Sequence, residues 1–277
     1  MKNLHKKQLR LSRRGFWLVC ALLVCLRLAL TSFQQAYTWV GGAPLDDELM
    51  FRAAQNITAG EWLGAYDYLT LSKAMFFPVW LALLHALHLP YLVAGAALWC
   101  GAALLAAFAF SPLWRKKRPE QGRVLTLALF AALAFLPSSW AAYTLRVYRD
   151  NIFPALCLYF FAGMAGMALR AVFEKDKPLW PWLAAAGAGL ACGYLDREDA
   201  GLFLLPFAAA ATVIVAVVLV GKRRWRALAA QVIPYAMLGV GVLTFCTLNY
   251  THYGVFALSD FSEGSFAAAM GAMMRVD

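Results

Sequence analysis

The sequence predicts an all-α integral membrane protein of about seven spanning helices, with juxtamembrane helices in its first outer loop. Three observations carry that reading. Hydrophobic residues make up 62% of the chain and charged residues only 14%. Apolar runs of membrane length recur from Gly15 to Tyr250. The basic residues fall in short clusters between those runs. A soluble domain of 277 residues needs far more polar surface, so 15–249 is read as one membrane domain. The net charge of +10 does not imply nucleic acid, because anionic headgroups and topology account for clusters placed this way.

The elements follow in order. Residues 1–14 form a basic cytoplasmic N-terminus. The apolar stretch after it is longer than a signal h-region and has no A-x-A-like cleavage site, so it is a retained first span. Further apolar runs lie near 74–89, 91–113, 124–140, 152–172, 180–195, 202–220 and 227–249. Basic clusters at Lys2–Arg14, Arg115–Arg123, Arg170–Lys177 and Lys222–Arg226 hold most of the Lys and Arg residues. If 74–89 crossed, the last three clusters would fall outside. If it does not cross, all four are cytoplasmic, and among the acidic residues only Glu120, Glu174 and Asp176 lie inside. A 16-residue helix is also only about 24 Å long against a hydrocarbon core of about 30 Å. Segment 74–89 is therefore expected to be re-entrant, and the outer segments are 41–90, 141–151, 196–201 and 250–277.

Chemistry-bearing residues concentrate in those outer segments. Asp46, Asp47 and Glu48 follow the first span, and Leu49, Ala53, Ile57 and Trp62 after them recur at near-helical spacing, as in an interface helix. Asp46 is placed to cap that helix. Alternatively, a carboxylate at a membrane surface beside an apolar cavity suits general-base work, since partial burial strengthens a base. In the second loop, Arg146 and Arg149 share a face if the segment is helical and suit a phosphate; headgroup binding or pairing with Asp150 is the plainer account. The third loop, Asp196-Arg197-Glu198-Asp199, is surface charge held close to the bilayer by its shortness. Arg27 lies deep in the first span, where an arginine is functional or paired. The six cysteines lie in apolar runs with no CxxC spacing, which supports neither a disulfide framework nor a zinc site. No Walker, GxGxxG, HExxH or GxSxG motif occurs.

Taken in order, Arg27, Asp46-Asp47-Glu48, the helix Leu49–Gly60, Gly60-Glu-Trp-Leu-Gly64 and Thr70-Leu-Ser-Lys73-Ala-Met-Phe-Phe-Pro78 resemble the N-terminal module of the GT-C superfamily. These are polytopic glycosyltransferases that use polyprenyl-phosphate-linked sugars. Arg146–Asp150 and Leu195–Asp199 resemble the loops of bacterial members related to protein mannosyltransferases and lipid A aminoarabinose transferases. The resemblance implies sugar transfer from a polyprenyl-phosphate donor to an unidentified acceptor (glycan, lipid or protein) on the outer face of the cell membrane. It implies that Asp46 or Asp47 is the acceptor's base and that Asp150 is a second acidic residue of the site. Lys73, Arg146 and Arg149 would then bind the departing lipid phosphate, with Glu48, Arg197 and Glu198 lining the substrate site. No cofactor is required with certainty, and a divalent cation is compatible with the acidic loops. Family enzymes have more spans, so Thr251–Asp277 is expected to lead into a further C-terminal region. The alternative is a non-enzymatic membrane protein, either a lipid-carrier transporter or an inactive assembly subunit of this fold.

Overall fold

The computed structural model describes residues 11–38, 44–117, 121–174, 177–260 and 265–275. Residues 1–10 of the basic N-terminus, 39–43 of the first loop, and Glu120 and Asp176 lie outside the described residues. The described chain is helical, with a single isolated β-bridge between Tyr37 and Arg146.

Helix α1 (Arg13–Ser32) starts where the Ser12 hydroxyl accepts from the Gly15 N–H at 3.0 Å. Phe16, Cys20, Arg27 and Thr31 are buried, while Leu18, Leu22, Leu26 and Leu30 form an exposed apolar stripe that lipid would cover. Helix α2 (Pro44–Ala59) and helix α3 (Phe76–Ala86) pack together, and Leu49, Met50, Ala53, Trp62, Leu71 and Phe77 form their common core. The left-handed Gly60, at φ +84°, ends α2. Next come α4 (Tyr91–Ala109), the short α5 (Ser111–Lys117) and α6 (Gly122–Ala134). Three 3-10 turns (Pro137–Trp140, Ala142–Leu145, Arg149–Asn151) lead into α7 (Phe153–Phe173). The chain continues through α8 (Trp180–Asp196), α9 (Gly201–Gly221), α10 (Trp225–Ala230), α11 (Ile233–Tyr253) and α12 (Ser265–Met273).

Small residues permit a close approach of α7 and α8. A Cβ at Gly163 would sit 2.5 Å from the Ala186 nitrogen, and one at Gly189 would sit 2.4 Å from the Phe160 nitrogen. Such close backbones are how apolar helices gain van der Waals contact where lipid removes the hydrophobic drive. Phe160, Met167, Leu183, Leu190 and Leu204 fill the core between α7, α8 and α9.

Cross-links between helix ends define two ends of the bundle. At one, Arg123 donates to the Leu11 carbonyl, Arg170 to those of Phe108 and Ala109, Lys222 to those of Ala171 and Val172, and Arg224 to that of Lys177. The described parts of the basic clusters therefore meet at one end, as the charge pattern predicts. At the other end, Tyr37 bonds residues 145 and 147, Trp62 donates to Asn249, and α8 delivers residues 196–199 to the 146–151 segment.

Five helical segments are long and apolar enough to cross a membrane: Arg13–Ser32, Tyr91–Arg115, Phe153–Phe173, Gly201–Gly221 and Trp225–Tyr253. They mark a multi-pass membrane protein. Two expected spans are shorter. The run 124–140 helixes only to Ala134, because Leu136 precedes Pro137 and takes an extended ψ of 127°. Helix α8 has 17 residues, about 26 Å of length. The first span is shorter than expected as well, because the chain leaves α1 at Ser32 to pair Tyr37 with the second loop. The 11 residues of α3 make about 16 Å, too short to cross.

Candidate functional site

The charged residues of three loops gather at the end of the bundle opposite the basic clusters. α2 contributes Asp46 and Asp47 from its first turn, where carboxylates suit the positive end of the helix dipole. Asp46 is thus inside the helix, whereas the sequence placed it as the cap. Asp47 is 5% exposed and accepts a two-pronged bond from Arg146, with Nε to Oδ2 at 3.1 Å and Nη2 to Oδ1. The Asp46 side chain is 39% exposed; its Oδ2 lies 3.5 Å from Lys73 Nζ and accepts from the Tyr148 hydroxyl at 3.1 Å.

Arg146 and Arg149 do not share a helical face, because extended residues separate two 3-10 turns: Arg146 has ψ 138° and Tyr148 ψ 169°. Tyr148 sits between the two guanidinium groups, 4.4 Å and 5.0 Å from its ring. The Tyr91 hydroxyl on α4 fixes this irregular strand by donating to the Arg146 carbonyl at 2.8 Å and accepting from the Tyr148 N–H.

Arg149 is 5% exposed and reaches three partners: Glu198 Oε2 at 2.9 Å, the Asp196 carbonyl at 3.0 Å and the Tyr148 hydroxyl at 2.8 Å. Glu198 also accepts from the Ala74 N–H, which ties the third loop to the residue after Lys73. Burial by itself would raise Glu198, yet Arg149 and the Ala74 N–H overcome it and hold this carboxyl below its ordinary value. Burial raises the Tyr148 hydroxyl, which keeps it a donor to Asp46 at neutral pH. Arg197 pairs with Asp150 at 3.2 Å and with Asp199 at 3.0 Å, and that bond with Arg197 lowers Asp199.

Every residue that the sequence singled out thus lies at this end: Glu48 is exposed on α2, and Asp46, Asp47, Lys73, Arg146, Arg149, Asp150, Arg197 and Glu198 join ion pairs. Sequence reasoning missed Tyr148, although its place between two arginines is a signal. It also missed Asp196, which reads as surface charge but is fully buried, with neither carboxylate oxygen hydrogen-bonded. Among the described residues, no three His, Cys, Asp or Glu side chains gather closely enough to hold a metal ion.

The fold and this cluster together define a multi-pass helical membrane protein with an ion-paired polar site at one end of its bundle. Compared with known proteins, the chain matches no family model, no curated protein and no solved structure.

Proposed function

We propose that this protein is a membrane glycosyltransferase of GT-C type, moving a sugar from a polyprenyl-phosphate carrier to an acceptor on the outer face. In this reading α1, α4, α7, α8, α9 and α11 cross, α6 crosses together with the 3-10 turn Pro137–Trp140 that continues its run, α3 lies at the outer interface, and the basic end faces the cytoplasm. The single observation that carries the proposal is the chain Arg149–Tyr148–Asp46–Lys73: a buried cation orients a tyrosine, the tyrosine orients a half-exposed carboxylate, and a half-exposed lysine lies beside it.

The chemistry suits those atoms. Asp46 takes the proton from the acceptor hydroxyl as the acceptor oxygen bonds to the sugar's anomeric carbon. The bond from that carbon to the lipid phosphate breaks, and its electron pair leaves on the phosphate oxygen, next to Lys73. Such transfers pass through an oxocarbenium-like state, so a base for the acceptor proton and a cation for the departing phosphate stabilise the charge that develops. Asp47 is already committed to Arg146 at 5% exposure, which favours Asp46 as the base. Lys73 belongs to the most loosely closed pair of the cluster, which favours it over the arginines for taking the phosphate.

A second reading has its own support: Arg146, Arg149 and Arg197 are all engaged by carboxylates, as in a non-catalytic subunit whose charges brace its loops. Reconstitution with a radiolabelled polyprenyl-phosphate sugar separates the two. Asp46→Asn should lower transfer by about 10²–10⁴-fold, while Asp46→Glu retains part of it. Undiminished transfer by Asp46→Asn would remove the assigned base, and no transfer by the wild type with any donor would favour the bracing role.

A further inference from the structure

Against the 144–151 segment, lined by its Thr144, Leu145 and Asn151, lies a separate cavity of about 40 Å³. Its inner wall is Arg27 and Thr31 of α1 with Gly95 and Trp99 of α4, and its rim carries Ser138, Tyr143 and Gln34. Ser138 and Tyr143 are exposed, so the mouth is polar, while the interior sets buried Arg27 and Thr31 among apolar Leu92, Ala96 and Pro154.

Arg27 is 3% exposed. One face of its guanidinium is covered by Trp140, 3.4 Å from the ring centroid, and its Nη2 donates to the Ser139 carbonyl at 2.7 Å. Its Nε and Nη1 are buried without a hydrogen-bond partner, and among the described residues no carboxylate pairs with it. A guanidinium in an apolar setting without counter-charge is costly and marks a site by default. Asn151 also lines the cavity. Its Nδ2 donates to the Thr144 carbonyl at 2.7 Å, while its Oδ1 is buried and unpartnered. Room for that amide comes from Gly95, where a Cβ would stand 2.1 Å from the Asn151 Oδ1.

We infer that this cavity binds one small oxyanion group, a carboxylate or a phosphate, entering through the polar rim and held by Arg27. Volume agrees, since about 40 Å³ takes about three waters, the footprint of a carboxylate or of the leading oxygens of a phosphate. The charge agrees too: the guanidinium has N–H donors to spare, and such donors bond oxyanions strongly. Neutral waters would fill the space but leave the cation unanswered. The inference does not rest on sugar transfer, because none of Asp46, Lys73, Tyr148 or Arg149 lines this cavity.

The test uses the full chain in phosphatidylcholine nanodiscs, with thermal unfolding and equilibrium binding as readouts. Three probes are added in turn: sodium phosphate, sodium acetate, and phosphatidylglycerol within the disc. At least one should bind saturably and raise the melting temperature of the wild type. Arg27→Gln should lower that affinity tenfold or more, and Arg27→Lys less. Gly95→Ala keeps the arginine but adds a methyl to the cavity wall and forces the Asn151 amide to move, so it should also weaken binding by taking up the small space; it serves if Arg27→Gln does not fold. A shift with the soluble salts marks a free anion as the occupant, and a shift with phosphatidylglycerol alone marks a lipid headgroup; either supports the site. The inference is overturned if no probe stabilises the wild type, or if Gly95→Ala and the folded Arg27 variants bind as the wild type does.

Discussion

Arg149 and Arg27 invite comparison. Each is almost wholly buried near the end of an apolar helix, and each lies over an aromatic ring, Tyr148 for one and Trp140 for the other. They differ in what answers their charge. Arg149 has Glu198, a carbonyl and a phenol oxygen; Arg27 has a carbonyl and a ring face. A buried cation–carboxylate pair is costly to break, whereas a buried cation without a carboxylate leaves an electrostatic demand unmet, and this holds although Arg149 Nε is itself without a hydrogen bond. The difference teaches that the arginines of the Asp46 region answer carboxylates of the same chain and leave one loose pair, Asp46–Lys73, while Arg27 has no such carboxylate among the described residues.

The comparison can be broken most directly at Arg149. Replacing it with alanine leaves the half-buried Glu198 without its cation, though still bonded by the Ala74 N–H, and should cost about 1–3 kcal/mol, read as a fall in melting temperature in detergent. Arg27→Ala leaves behind a carbonyl and a ring face but no carboxylate, and should cost clearly less; the reverse order would undo the contrast. A smaller effect appears with pH. Glu198 is held below its ordinary 4.5 in the fold, so the folded state binds fewer protons than the unfolded one there. Its stabilisation is complete above about 4.5 and is lost as pH falls through the lower folded value. The melting-temperature gap between wild type and Glu198→Gln should therefore close in acid, and a gap constant from pH 7 to pH 3 would contradict the pairing. The smallest effect is expected at Lys73→Ala. That pair is about a third exposed, so its loss should cost under about 1 kcal/mol. Under the transferase reading, the same change should raise the donor KM several-fold, which steady-state kinetics would detect.

Much of the plan is written in local pattern. The run 152–172 becomes α7 within one residue, because polar loops bound it on both sides. The clustering of basic residues at one end follows from counting charges. Pairings distant in sequence were hidden. Nothing local indicates that the chain leaves α1 at Ser32 to bridge Tyr37 to Arg146, since the aromatic residues that follow look like more span. The shared-face reading of Arg146 and Arg149 failed because Tyr91, more than fifty residues earlier, holds the intervening backbone extended. Asp46, Lys73 and Glu198 were individually visible as outer-loop charges, but that Tyr148 joins them depends on how three loops close on one another.

The stretch from Thr144 to Asn151 is shared: its tyrosine and arginines join the Asp46 cluster, while Thr144, Leu145 and Asn151 line the Arg27 cavity. Any binding event that shifts this segment from one side acts on residues of the other, and where such coupling exists thermodynamic reciprocity makes it run both ways by the same factor. An anion seated against Arg27 that tightens the hold on a lipid phosphate at Lys73 must itself be held more tightly when that phosphate is present.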